Sequence, residues 1–237
     1  MNYTILNHKI YNKLNPLQAY IYCGLCFKTD FKDNTTHIAE RTLAEFVKVD
    51  KDTVDRAFDV FETENLVSKD SIFYGNKKVN TYTLNRDTWF AVNETIWKED
   101  LTREQIGFLL LLRSVCVNNT YITFYNSSRK LAEVMKLGKS QINEYLKVLE
   151  EKGYITKDKV KIEIVRTDLF KNTTKITIKE VATVYYDNCK GAVKNRAEFV
   201  INNWKTWNMS KYDTEVYIIN GFIKDKEKIK TDLEITL

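Results

Sequence analysis

Three short stretches carry residues whose types and spacing could do chemistry. Cys23-Gly24-Leu25-Cys26 has the spacing of a redox pair or of half a zinc site. A structural zinc takes about four ligands. No second pair of this kind follows, and His8 and His37 are the only histidines. Gly138-Lys139-Ser140 has the ending of a phosphate-binding loop, but Glu133 stands where the first glycine of that loop belongs. No nucleophile, histidine and acid are grouped locally, and no carboxylate cluster has metal-ligand spacing. The expectation is therefore no enzyme, no metal and no cofactor. The third stretch offers a different chemistry. Lys139, Ser140, Gln141, Asn143 and Lys147 crowd hydrogen-bonding and cationic groups into nine residues. Gln and Asn each match the major-groove edge of adenine with two hydrogen bonds, and Lys meets phosphate oxygens.

These side chains need a scaffold. Ile142, Tyr145, Leu146 and Leu149 fall on one face of a helical period, which predicts an amphipathic helix over Ser140–Lys152. A short helix, Ser127–Met135, precedes it across a turn of about four residues and opens with Ser128 and Arg129. Two strand-like stretches follow, Tyr154–Thr156 and Val160–Val165, around Lys157-Asp158-Lys159. Upstream lie an apolar helix, Leu101–Val117, with Thr102 as its N-cap, and a strand at Tyr121–Phe124.

The same order occurs earlier in the chain. Residues 43–70 align without a gap on residues 131–158 at an offset of 88, with nine of 28 positions identical. The earlier copy predicts helices over Leu14–Phe27 (N-cap Asn15), Glu40–Val47 and Asp52–Glu64. A short segment, Thr36–Ala39, lies between the first two. Strands follow at Leu66–Tyr74 and Val79–Leu84, with Gly75-Asn76-Lys77-Lys78 as the tip between them. Its equivalents of the polar stretch are Lys51, Thr53 and Arg56, and Asp50, Asp52, Asp55 and Asp59 surround them. Two cations against four acids leave −2 over residues 50–59, whereas three against one leave +2 over residues 136–147. Phosphate would be repelled by the first and attracted by the second, so the second copy is expected to be the stronger reader. The first is left to weaker binding or to a dimer or partner surface. Lys77 and Lys78 suit a phosphate contact or plain surface solubility.

Three helices with a short turn between the second and third, then a hairpin, describe a winged helix-turn-helix. Leu131–Ile155, ending Leu149-Glu150-Glu151-Lys152-Gly153-Tyr154-Ile155, resembles the winged-helix domains of bacterial regulators and of phage and plasmid replication proteins. Asp52–Phe58 looks like the same helix opening in the first copy. The resemblance covers about 150 residues, and two winged helices in tandem are similar to plasmid replication initiators. It implies sequence-specific binding of double-stranded DNA without catalysis. Origin recognition is the first expectation, promoter binding by a transcriptional regulator the alternative, and a protein-binding adaptor the rival class. In that family one unit tends to support dimerisation, so a homodimer and replication or transcription proteins are the expected partners. The helix-turn-helix geometry assigns DNA contact to Ser128, Arg129, Lys139, Ser140, Gln141, Asn143, Lys147, Lys157 and Lys159, with Lys51, Thr53, Arg56, Lys77 and Lys78 in the first copy.

The expected organisation is a winged-helix unit over 1–97, a second over 98–168, and an extension over 169–237. In the extension Thr173–Ile178 alternates like a strand that Ala182–Tyr186 could prolong. Val193, Ala197, Val200, Ile201 and Trp204 then recur at helical spacing, and residues 213–230 read equally as helix or strand. Residues 152–211 hold 13 basic and six acidic side chains, a net +7, while the rest of this 237-residue chain sums to −2 within its total of +5. One proline and seven glycines argue against a turn-dense all-β fold. The fold class expected is mainly α with small β-hairpin wings, an α+β chain. No stretch of 18 apolar residues is present and the first 14 residues alternate, so neither a membrane span nor a secretory signal is expected. Four cysteines then read as reduced thiols of a cytoplasmic protein.

Overall fold

The chain is α+β. A computed structural model describes residues 3–74, 77–86, 88–117, 120–171 and 177–221, and the side chains of Ile72, Tyr74, Lys77 and Lys78 lie outside that description. Residues Met1–Thr173 form one compact unit and Thr174–Leu237 another.

The first unit runs through the same elements twice. The first pass is β1 (Tyr3–Asn7), a 3-10 turn (His8–Asn12), α1 (Pro16–Phe27), β2 (Thr35–Thr36), α2 (Glu40–Val47), α3 (Lys51–Thr63), β3 (Val67–Tyr74) and β4 (Lys77–Leu84). The second pass is β5 (Trp89–Asn93), a 3-10 turn (Glu94–Lys98), α4 (Arg103–Ser114), β6 (Ile122–Thr123), α5 (Ser128–Met135), α6 (Lys139–Glu151), β7 (Ile155–Lys157) and β8 (Ile162–Ile164). A 3-10 turn (Thr167–Leu169) and β9 (Phe170–Lys171) close the unit.

Local chemistry sets these boundaries in pairs. Asn7 and Asn93 each accept the amide two residues on and start the 3-10 turns. Asn15 with Gln18, and Thr102 with Gln105, form capping boxes at the starts of α1 and α4. Lys48 and Lys136 both end their helix at φ 55° in the left-handed region, and Asn65 (φ 54°) and Gly153 (φ 74°) do so after the next helix. The Lys48/Lys136 and Asn65/Gly153 pairs are each 88 residues apart, so at these helix ends the backbone repeats the offset read from the side chains. Leu43, Val47, Val54, Phe58, Phe61 and Val67 are buried in one copy, and Leu131, Met135, Ile142, Leu146, Leu149 and Ile155 in the other.

Each copy holds a three-stranded antiparallel sheet, ordered β2-β4-β3 and β6-β8-β7. A third sheet, β1-β5-β9, joins the copies: Ile5 pairs with Ala91, and Val92 with Phe170. Residues 170–171 thus belong to the first unit through this sheet. Helices α1 and α4 pack on one another, and Leu109–Leu112 are fully buried. A helix apolar on every side belongs inside a core.

At this seam Arg113 is 1% exposed, and its Nε and Nη1 have no hydrogen-bond partner among the described residues. Its guanidinium lies over the rings of Tyr121 (5.0 Å), Phe90 (5.3 Å) and Phe170 (5.9 Å). His8 packs on the same Phe90 ring at 5.1 Å. Burial, and then the charge on Arg113, hold the imidazole below its usual pKa, against smaller opposing hydrogen bonds to the Ser114 and Trp89 backbone. The unfolded chain therefore binds the His8 proton more readily. This contribution is complete above the free-imidazole value of about 6.5 and is lost as pH falls below it. Denaturant midpoints should drop across that range, and His8→Gln, which takes up no proton, should flatten this part of the profile.

The second unit contains α7 (Ile178–Asn188), α8 (Gly191–Asn203) and α9 (Lys211–Asn220). Here the strand expected over Ala182–Tyr186 is corrected, because those residues lie within α7. Thr177 and Glu180 close a capping box, and Val181, Ala182, Val184 and Tyr185 are buried at helical spacing. Residues 173–176 of the other expected strand lie outside the described residues, Thr177 is the cap, and Ile178 opens the helix. The helix expected from Val193 onward is α8, and α9 resolves the first part of 213–230 as helix. Arg196 donates to the carbonyls of Ile218 (2.8 Å) and Ile219 (2.7 Å) and so ties α8 to the end of α9. Trp207 donates to Thr214 at 2.8 Å, while Trp204 remains 40% exposed.

No helix among the described residues is long and apolar enough to cross a membrane. Cys23, Cys26 and Cys116 are buried free thiols, and burial raises the pKa of Cys26 to about 11.

Candidate nucleic-acid interface

The two helix pairs, α2–α3 and α5–α6, have the same turn but opposite electrostatics. Asp50 caps α3 by accepting the Thr53 amide at 2.8 Å, and Asp52 adds a second acid to the first turn. Those bonds to Thr53 hold the Asp50 carboxyl below its usual pKa, so it stays ionised. The cations beside it are engaged. Lys51 pairs with Asp55, and Arg56 folds back on the Asp52 carbonyl (3.2 Å) and the Thr53 hydroxyl (3.0 Å).

At α6 the cap is Gly138, which has no side chain to bond the first turn, and that turn contains no acid. Its free amide groups and the positive end of the helix dipole favour an anion. Lys139, Ser140, Gln141, Asn143 and Lys147 are all exposed. Ser140, Asn143 and Lys147 lie across the helix from the buried Ile142, Leu146 and Leu149. Gln141 rests its amide on the Tyr145 hydroxyl at 3.3 Å, and the Tyr145 ring stacks on Phe108 at 4.9 Å. The core thus fixes the tyrosine that orients the glutamine.

The cations around α6 are available. Lys139, Lys157 and Lys159 have no ion pair among the described residues. Arg129 meets Glu133 at 3.3 Å and Lys147 meets Glu151 at 3.8 Å, both as exposed pairs one turn apart. Such pairs contribute about 0.3–0.5 kcal/mol and are readily exchanged for phosphate. Asp158 accepts the amides of Val160 (2.6 Å) and Lys161 (2.8 Å), which shapes the tip bearing Lys157 and Lys159. Asn126 donates to the Lys159 carbonyl and anchors that tip to the segment before α5.

Ser128 is only 9% exposed, and the α5 cap is instead Ser127, which accepts the Lys130 amide at 3.3 Å. Lys77 and Lys78 open β4 opposite Tyr74 and Phe73 in register, while the tip residues Gly75 and Asn76 lie outside the described residues. Two exposed cations stand beside the expected set. Lys136 occupies the left-handed position just before α6, and Lys130 sits in the first turn of α5, donating to Asn126 at 3.3 Å. The signal for Lys136 was its alignment with Lys48 in the repeat.

Among the described residues no group of three or more His, Cys, Asp or Glu could hold a metal ion. No protein-family model matches this chain, and no curated protein is significantly similar to it in sequence.

Proposed function

We propose that the chain is a tandem winged-helix protein that binds double-stranded DNA sequence-specifically, with α6 of the second copy as its principal reader. The observation that carries this reading is the contrast between two otherwise matched helices. One begins with Asp50 and Asp52, the other with an uncapped turn beside Lys136 and Lys139. On this reading Gln141 and Asn143 face base edges from the major groove. Lys139, Lys147, Arg129 and the wing lysines Lys157 and Lys159 hold phosphates. The resemblance to plasmid and phage initiators makes origin recognition in replication the role we assign, with a homodimer and other replication proteins as partners.

The experiment is a titration of the full chain against a pool of random-sequence duplexes at rising salt. A protein neutralising about six phosphates loses roughly a thousandfold in affinity between about 50 and 200 mM salt. Lys159→Ala should weaken every duplex alike and reduce the slope of log affinity against log salt by about 1. A flat salt response would exclude phosphate contact.

A further inference from the structure

The acidic start of α3 turns phosphate away from the first copy's helix. Its hairpin has the opposite charge: residues 67–84 hold three lysines and one aspartate, a net +2. With eight residues in each strand, β3–β4 is also far longer than β7–β8, which has three.

Val67, Lys69, Ser71 and Phe73 share one face of β3. Their partners in register are Leu84, Tyr82, Asn80 and Lys78. At the base of the hairpin this face is packed. Val67, Leu84 and Tyr82 are buried, and Glu40 at the start of α2 accepts from Tyr82 and pairs with Lys69 at 3.5 Å. That pairing neutralises Glu40. Further out Ser71 donates to the Asn80 side-chain carbonyl oxygen at 3.0 Å, the Asn80 amide donates back to Tyr82 (3.4 Å) and Glu40 (3.5 Å), and beyond them stands Phe73, 68% exposed. Four residues of strand put it about 13 Å past Lys69.

Among the described residues Phe73 is the only exposed large apolar side chain of this hairpin. One exposed ring among the described residues is too little for a protein-docking patch of several hundred Å2. It is the size of one base-pair step. Architectural DNA-binding proteins combine such a ring with hydrogen-bond donors that reach adenine N3 and thymine O2 from the minor groove.

We propose that the first copy engages DNA through this hairpin, with Phe73 entering the minor groove as a wedge between two base pairs and the exposed Ser71 hydroxyl bonding the groove floor beside it. The proposal rests on the DNA-binding reading above. The test uses duplexes retained from the random pool, labelled at both ends for energy transfer. Wild-type protein should bring the ends together, as a wedge kinks a duplex by about 20–90°. Phe73→Ala should bind about tenfold more weakly and leave the duplex straight, whereas Phe73→Leu, still a wedge, should retain both properties. Because Phe73 is exposed, both variants should keep the wild-type circular dichroism. A duplex that is bound but straight, or Phe73→Ala equal to wild type in affinity and bend, would overturn the wedge alone. Retention of no duplex at low salt would overturn the DNA-binding reading and the wedge with it.

Discussion

Gly107→Ala should destabilise the first unit by about 3 kcal/mol, the upper end of the usual range for overpacking. A Cβ at residue 107 would lie 1.7 Å from the Pro16 carbonyl oxygen and 2.5 Å from its carbonyl carbon. Both are backbone atoms in the first turn of α1, so no side chain can swing aside. The two helices must separate, and with them the seam through which the two copies share a core. Alanine is the better helix former by about 0.8–1.0 kcal/mol, so the measured loss is the clash minus that gain. Urea unfolding of wild type and variant should show the midpoint displaced. A change smaller than about 0.5 kcal/mol, typical of surface substitutions, would mean that α1 and α4 do not approach so closely.

Gln141→Ala should relax base preference by about 1–3 kcal/mol at one position of the bound site, the magnitude of one bidentate contact to a base. The side chain is exposed on the first turn of α6, and the hydroxyl it now bonds belongs to Tyr145, which is held by Phe108. Removing the amide should leave the fold intact. The competition between preferred and substituted duplexes should narrow, while the salt slope stays as in wild type because no phosphate contact is lost. Lys159→Ala should do the reverse. Equal effects of the two changes on every duplex would remove the division of labour between α6 and the wing.

The helices of the first unit were legible because the 3.6-residue period and the caps Asn15 and Thr102 bound α1 and α4, and the 88-residue offset matches α2 and α3 to α5 and α6. The strands that open each copy were not. Tyr3–Asn7 and Trp89–Asn93 are 86 residues apart, because the second copy has two extra residues between its strand and its matching helix pair. Asn7 with Asn93 and Ile10 with Ile96 were the available signals. The β1-β5-β9 sheet joins segments about 80 residues apart, a pairing that no local pattern specifies. The alternation over Thr173–Ile178, prolonged by Ala182–Tyr186, suggested a strand, but in α7 the Thr177–Glu180 capping box and packing of Val181 and Tyr185 prevail. At the candidate site the exposed face of α6 followed from periodicity. That Arg56 folds onto its own helix, or that Ser128 is covered, depends on side-chain packing outside the sequence pattern.

Sequencing the duplexes retained by the full chain from a random pool at low salt tests the central claim most directly. The account predicts one enriched motif, containing a position at which Gln141→Ala no longer discriminates. Retained duplexes with the base composition of the starting pool and no shared motif would contradict it.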